Sequence, residues 1–192
     1  MKEEERGYLS MKRLTVLLDY DGVLFDTMPH WVDALNDTYN LHIAYSDITE
    51  WDLTKTLPLT KEEIFAPLNY CEFWYTLQPA FDGPDIVRSL LANGHVVKLA
   101  TSTYYRHIVP KKNRLFECYP LLKWEDVIIT SSKYLLKGDV LIDDAIHNLI
   151  GGDYYKILMN QSHNETFNTE GMKVKRVNNL TEAYEVIKCL TI

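Results

Sequence analysis

Leu14, Val16, Leu17 and Leu18 form a short apolar run that stops abruptly at Asp19-Tyr20-Asp21-Gly22. A run this short and rich in strand formers predicts a strand buried on both faces. Met28, Trp31, Val32, Leu35 and Tyr39 then recur at helical spacing, with Pro29 suited to a first turn. Residues 47–57 are mixed and read as a loop with a short helix. Thr60-Lys61-Glu62-Glu63 fits a capping box opening a helix that runs to about Asn69. Another short helix is expected over 72–77.

Beyond the break at 79–84 the pattern becomes a regular alternation. A helix over 85–92 is stopped by Asn93-Gly94, and a strand over 96–100 ends in Thr101-Ser102. Residues 104–118 are helical in tendency, with a kink expected near Pro110. Further strands are expected over 127–130, 139–142, 155–159 and 174–177, and an amphipathic helix over 181–190 closes the chain. Strands alternating with helices predict an α/β fold, a Rossmann-like parallel sheet with right-handed crossovers.

About 70 residues of mostly helical pattern separate the first strand from the next, too many for one crossover. The expected organisation is therefore a leader over 1–10, an α/β core over 11–26 and 82–192, and a helical cap over 27–81. Because the insertion starts directly after the acids, it should stand over the strand ends. It carries ten of the 23 aromatic residues, among them Trp51, Phe73, Trp74 and Tyr75. Most such aromatics form the core of a small subdomain. One or two facing the strand ends would stack on a flat substrate group.

Composition narrows the partners. The 192 residues are 46% hydrophobic and 24% charged, which suits one globular domain with an inserted piece. A formal net charge of −7 provides no basic field for a nucleic-acid polymer. An anionic small substrate would need its charge met locally. Cys71, Cys118 and Cys189 are odd in number and widely spaced, which reads as free thiols in a reducing compartment. No apolar run has the length of a membrane span, and the start is acidic, unlike a signal peptide. A cytoplasmic location is expected. Oligomeric state stays open, with a C2 homodimer the commonest closed form.

Four polar signals fall where strands end: Asp19/Asp21, Thr101/Ser102, Lys133 and Asp143/Asp144. A parallel sheet gathers its strand ends along one edge, where open α/β folds bind ligands. Two carboxylates at i and i+2 are costly unless a cation or a shared proton relieves them. Each residue type has a task in phosphoryl transfer through an aspartyl-phosphate. Asp19 supplies an ionised nucleophile, and Asp21 protonates the leaving oxygen and later activates water. Thr101 and Ser102 hold phosphate oxygens, Lys133 neutralises charge (with Lys137 as a rival), and Asp143/Asp144 offer hard oxygen ligands for Mg²⁺.

These motifs, DYDGVL, the strand-end TS, the lysine ten residues before the first acid of LIDD, and LIDD itself, resemble the haloacid dehalogenase (HAD) superfamily of phosphohydrolases. Within it, DYDGVLFD, a cap with Trp51-Asp52 and the KxxxxxDVLIDD arrangement resemble the 5′(3′)-deoxyribonucleotidase family. The resemblance implies Asp19 as nucleophile, Asp21 as acid/base, and Thr101, Ser102 and Lys133 as phosphate contacts. It implies Mg²⁺ held by Asp19, the Asp21 main-chain carbonyl and the Asp143/Asp144 pair, with Asp144 the direct ligand. Dehalogenases lack the second Asp of DxD, so Asp21 points to a phosphatase. Two positions depart from the family pattern: Thr27 stands where an aromatic is common, and Ser131 where relatives carry arginine. Both bear on substrate preference.

The expected activity is hydrolysis of nucleoside monophosphates, deoxyribonucleotides above all, with Trp51 stacking on the base and Phe73 and Trp74 behind it. Three alternatives remain at this stage: a sugar phosphate or another small phosphomonoester as substrate, a phospho-receiver module, and a catalytically silent binding relative. In a receiver the acidic pair comes early and the phospho-acceptor later, the reverse of the order here.

Overall fold

A computed structural model describes residues 12–191, so the leader expected over 1–10 lies outside the described residues. Six strands form one parallel sheet in the order β3-β2-β1-β4-β5-β6. They are β1 (Thr15–Leu18), β2 (Val96–Thr101), β3 (Val127–Ile129), β4 (Val140–Asp143), β5 (Tyr155–Met159) and β6 (Val174–Val177). β1 is central, and its Val16, Leu17 and Leu18 are apolar and buried. Val16 and Leu18 enter one core with Val87, Leu90, Leu115 and Ile187, while Leu17 enters the other with Leu141, Leu149 and Leu158.

The helices are α1 (Thr27–Tyr39), α2 (Lys61–Phe65), α3 (Cys71–Thr76), α4 (Gly83–Ala92), α5 (Ile108–Cys118), α6 (Ile146–Leu149) and α7 (Leu180–Cys189). Helices therefore flank the sheet, as the alternation predicts. The register places the chemistry. Leu18 pairs with Leu99 on one side and Ile142 on the other. The next residue of each strand, Asp19, Ala100 and Asp143, therefore comes level at the carboxyl edge.

Four local expectations need adjustment. The Thr60–Glu63 capping box forms as expected, but α2 ends at Phe65 instead of Asn69. Pro67 has no N–H to continue the ladder, and the chain goes on as a 3₁₀ turn over Pro67–Asn69. Pro110 does not kink a helix, because a 3₁₀ turn over Tyr105–His107 precedes α5 and leaves Pro110 in its first turn. There its missing N–H would have had no intrahelical partner. β4 begins at Val140, since Asp139 turns its carboxylate to accept from the Thr15 N–H at 2.7 Å. The short α6 was not expected at all.

Between β1 and β2 the chain builds a small core of its own from Met28, Val32, Leu35, Ile48, Leu53, Leu57 and Ile64. Leu68, Phe73, Trp74 and Leu77 pack instead into the large core with Leu18 and Phe25. Polar ties hold the inserted segment to the strand ends. Tyr45 donates its hydroxyl proton to Gln161 Oε1 at 2.5 Å, and Gln161 Nε2 donates to the Gly22 carbonyl at 2.7 Å.

Candidate active site

Asp19 follows β1 directly and is buried, its Oδ1 accepting from the Tyr20 N–H at 2.7 Å. Lys133 lies 2.8 Å from the same oxygen and 2.6 Å from Asp143 Oδ2, with no exposed side-chain surface. Lys137, the rival from the sequence, is exposed and makes no ion pair among the described residues. Asp143 is fully engaged, since its other oxygen accepts from the Ala145 N–H and Asn148 Nδ2 at 2.9 and 3.0 Å. Asp144 is different: its Oδ1 is buried and has no hydrogen-bond partner. Carboxylate oxygens of Asp19, Asp143 and Asp144 lie within 4.8 Å of one another.

Electrostatics follow from that crowding. Burial pushes the Asp19 carboxyl up to about 7, the Asp143 charge pushes the same way, and Lys133 only partly offsets both. Burial, then Asp143, Asp19 and Asp21, push Asp144 well above the usual carboxylate range. Burial works against the Lys133 charge, but Asp19 and Asp143 outweigh it and hold the ammonium protonated. Two buried carboxyls raised in this way, one with an orphaned oxygen, form a donor set suited to a hard divalent cation.

Gly22 makes the approach of Asp144 possible. Its φ is +68°, and a Cβ there would run into the Asp144 carboxylate. Gly22→Ala is expected to cost about 1–2 kcal/mol for the left-handed backbone alone, roughly 2–8 °C in Tm. It should also displace Asp144 and abolish stabilisation by divalent cations. A melting curve unchanged from wild type, with and without cation, would contradict this packing.

Asp21 is partly exposed and lines a cavity of about 550 Å³. Its Oδ1 accepts from Thr27 Oγ1 at 2.7 Å, and its Oδ2 lies 2.5 Å from Lys111 Nζ. Thr27, where an aromatic would fit the family pattern, thus contributes a hydroxyl to Asp21. Thr101 ends β2 with its Oγ1 buried and unpartnered, and Ser102 lines the cavity.

The aromatic residues divide. Trp51 is 47% exposed and lines the cavity, backed edge-on by His163 at 5.0 Å. Trp74 is buried, yet one part of it reaches the wall, and its Nε1 donates to the Leu68 carbonyl at 2.9 Å. Phe73 does not line the cavity. It packs against His30 and Trp74 within the core, because a six-residue helix cannot turn adjacent side chains toward one target. Trp31, read from the sequence only as an apolar helix position, and Phe65 also line the cavity. Burial pushes the His163 imidazole down, and its Nε2 sits 3.3 Å from the Asp144 carbonyl. Asn164 Nδ2 donates to the same carbonyl at 2.8 Å.

A parallel sheet with an inserted helical segment over this acidic edge is the fold of solved HAD-type hydrolases. Solved structures agree on the fold. A haloacid dehalogenase-like hydrolase from Xanthomonas campestris superposes with a TM-score of 0.56 at 12% identity, covering 94% of this chain and 97% of that one. A HAD hydrolase from Bacillus subtilis bound to magnesium gives 0.56 at 15% identity, covering 92% and 99%. More specifically, residues 13–191 match the model of the family described as 5′ nucleotidase, deoxy (pyrimidine), cytosolic type C protein, and the chain belongs to that family. It is similar to the 5′(3′)-deoxyribonucleotidase of Bacillus subtilis strain 168, 28% identical over 159 residues, 82% of this chain and 91% of that protein. The 5′(3′)-deoxyribonucleotidase of Clostridium acetobutylicum is 28% identical over 161 residues, 82% and 88%.

Proposed function

We propose that this protein is a Mg²⁺-dependent phosphatase of deoxyribonucleoside 5′(3′)-monophosphates working through an aspartyl-phosphate on Asp19. The observation that carries the reading is the buried Asp19–Lys133–Asp143 ladder beside the orphaned Asp144 oxygen, with Asp144 and Asp21 lining an aromatic-walled cavity. Residues 11–26 and 82–192 act as the catalytic core and 27–81 as the cap over it.

Asp19, Asp144 and the Asp21 main-chain carbonyl would hold Mg²⁺, with Asp143 supporting through Lys133. When bound, Mg²⁺ neutralises the charge of the carboxylates and the incoming phosphate. An Asp19 oxygen attacks phosphorus while Asp21 delivers a proton to the departing ester oxygen. Asp21 then takes a proton from the water that cleaves the acyl phosphate. Thr101 Oγ1, free of any protein partner, and Ser102 receive the phosphate oxygens, and Lys133 balances their charge. Trp51 stacks on the base, with Trp74 behind it. The net charge of −7 and the size of the cavity favour a small nucleotide over a polymer. Among the described residues no helix is long and apolar enough to cross a membrane.

The cation should show itself in stability. Between about pH 4 and 7 the folded chain without cation keeps a proton on Asp19 that the unfolded chain has released. This group's contribution to stability therefore falls as pH rises through that window. Mg²⁺ replaces the proton, so the gain in Tm on adding Mg²⁺ should be larger at pH 8 than at pH 5. An equal gain at both values would place the ion elsewhere.

Trp51→Ala tests the substrate class. Base stacking on an aromatic is worth about 1–3 kcal/mol, so KM for a deoxynucleotide should rise roughly 5- to 150-fold. Turnover of a small sugar phosphate should be spared. Equal effects on both would favour a sugar phosphate or another small phosphomonoester as the substrate.

A further inference from the structure

Two lysines are buried at this sheet edge, and the chemistry above uses only one. Lys111 projects from α5 with 5% of its side chain exposed, and its Nζ lies 2.5 Å from Asp21 Oδ2. The ammonium also sits 4.2 Å from the centroid of the Tyr20 ring and 5.2 Å from that of Trp74. Ring faces accept a desolvated cation, so this placement fixes Lys111 where a long aliphatic stem would otherwise let it roam. The other oxygen of Asp21 accepts from Thr27 Oγ1 at 2.7 Å, from the first residue of α1. Lys111, Thr27 and Asp21 line the same cavity wall. Each aspartate of the DxD pair therefore has its own buried lysine, Lys133 for Asp19 and Lys111 for Asp21.

We propose that Thr27 and Lys111 are positioning residues that lock the Asp21 carboxylate plane for proton transfer at the ester oxygen. The inference rests on the reading of Asp21 as the acid/base. A carboxylate turns readily about its terminal torsion, and proton transfer needs hydrogen-bond geometry to within fractions of an ångström. Anchoring one oxygen to α1 and the other to α5 removes that freedom. Each oxygen keeps a second lone pair for the transferred proton. In the first half-reaction that proton passes to the ester oxygen as the phosphorus–oxygen bond breaks and the Asp19–phosphorus bond forms. In the second, Asp21 takes a proton from water as the water oxygen bonds phosphorus and the Asp19–phosphorus bond breaks.

The test is leaving-group dependence in the first turnover of the Mg²⁺-loaded full chain. A nucleoside alkoxide needs the proton, whereas p-nitrophenolate departs without it. Lys111→Met should slow release of deoxynucleoside about 100-fold, the size of an acid/base contribution, and slow the p-nitrophenol burst less than about threefold. Thr27→Val should show the same asymmetry at about tenfold, and Thr27→Ser should recover most of the loss. Thr27→Val decides the matter should Lys111→Met not fold. Equal loss on both substrates, or no loss on either, overturns the proposal. Asp21→Asn separates the two levels. If it shows the asymmetry and the Lys111 and Thr27 variants do not, only this inference fails. If Asp21→Asn releases deoxynucleoside at the wild-type rate, the acid/base reading fails and the inference with it.

Discussion

Asp19→Asn is expected to lower turnover of every phosphomonoester by at least about 10⁴-fold, the scale on which loss of a nucleophile registers in covalent catalysis. The substitution keeps the shape of the side chain and an oxygen to accept from Lys133 and the Tyr20 N–H, so the site should stay intact. Stability gives the control. Burial and the Asp143 charge push the Asp19 carboxyl up to about 7, so its ionised form at pH 8 opposes folding when no cation is present. In EDTA at pH 8 the variant should melt at or above the wild-type temperature. Loss of activity together with a lower Tm would mean that the residue acts structurally. Retained activity with a normal Tm would remove Asp19 from the mechanism.

Lys133→Met should act on both activity and stability. It removes the only ammonium between two carboxylates whose side chains are 7% and 0% exposed. Stripping one partner from a buried charged network costs about 3–5 kcal/mol, roughly 6–20 °C in Tm for a chain of this size. The cost should shrink toward pH 5, where Asp19 can take a proton, and grow toward pH 8. Turnover should fall with it, since neither the Asp19 orientation nor the phosphate charge is then supported. Lys137→Met should do nothing comparable, because that side chain is exposed. Equal effects of the two substitutions would contradict the assignment of Lys133.

What could be read in the sequence was what strands and their ends impose. The apolar run before Asp19 and the one before Asp143 each fix a buried strand, and the parallel sheet then brings their acids level. Thr101 follows from the same rule. Trp51 stood out only through the Trp51-Asp52 step that resembles the 5′(3′)-deoxyribonucleotidase family. Lys111 could not be found this way. It lies in a helix among other charged residues, and only the packing of α5 beside Tyr20 and Trp74 brings it to Asp21. Thr27 was noticed as a departure from an aromatic, but its hydrogen bond to Asp21 depends on how α1 leaves the strand end. Phe73 shows the opposite error, since adjacent aromatics in one short helix cannot both face the cavity. His163 and Asn164 support Asp144 from a loop after β5, a contact that no local pattern announces.

The most direct measurement is where the phosphate goes. The protein is mixed with a deoxyribonucleoside monophosphate carrying labelled phosphate, quenched in acid within the first turnover, and its peptides are mapped. The account predicts an acid-stable label on Asp19 alone, formed with Mg²⁺ and absent in EDTA. Phosphate release in the first turnover without any label on Asp19, or labelling that proceeds equally in EDTA, would contradict it.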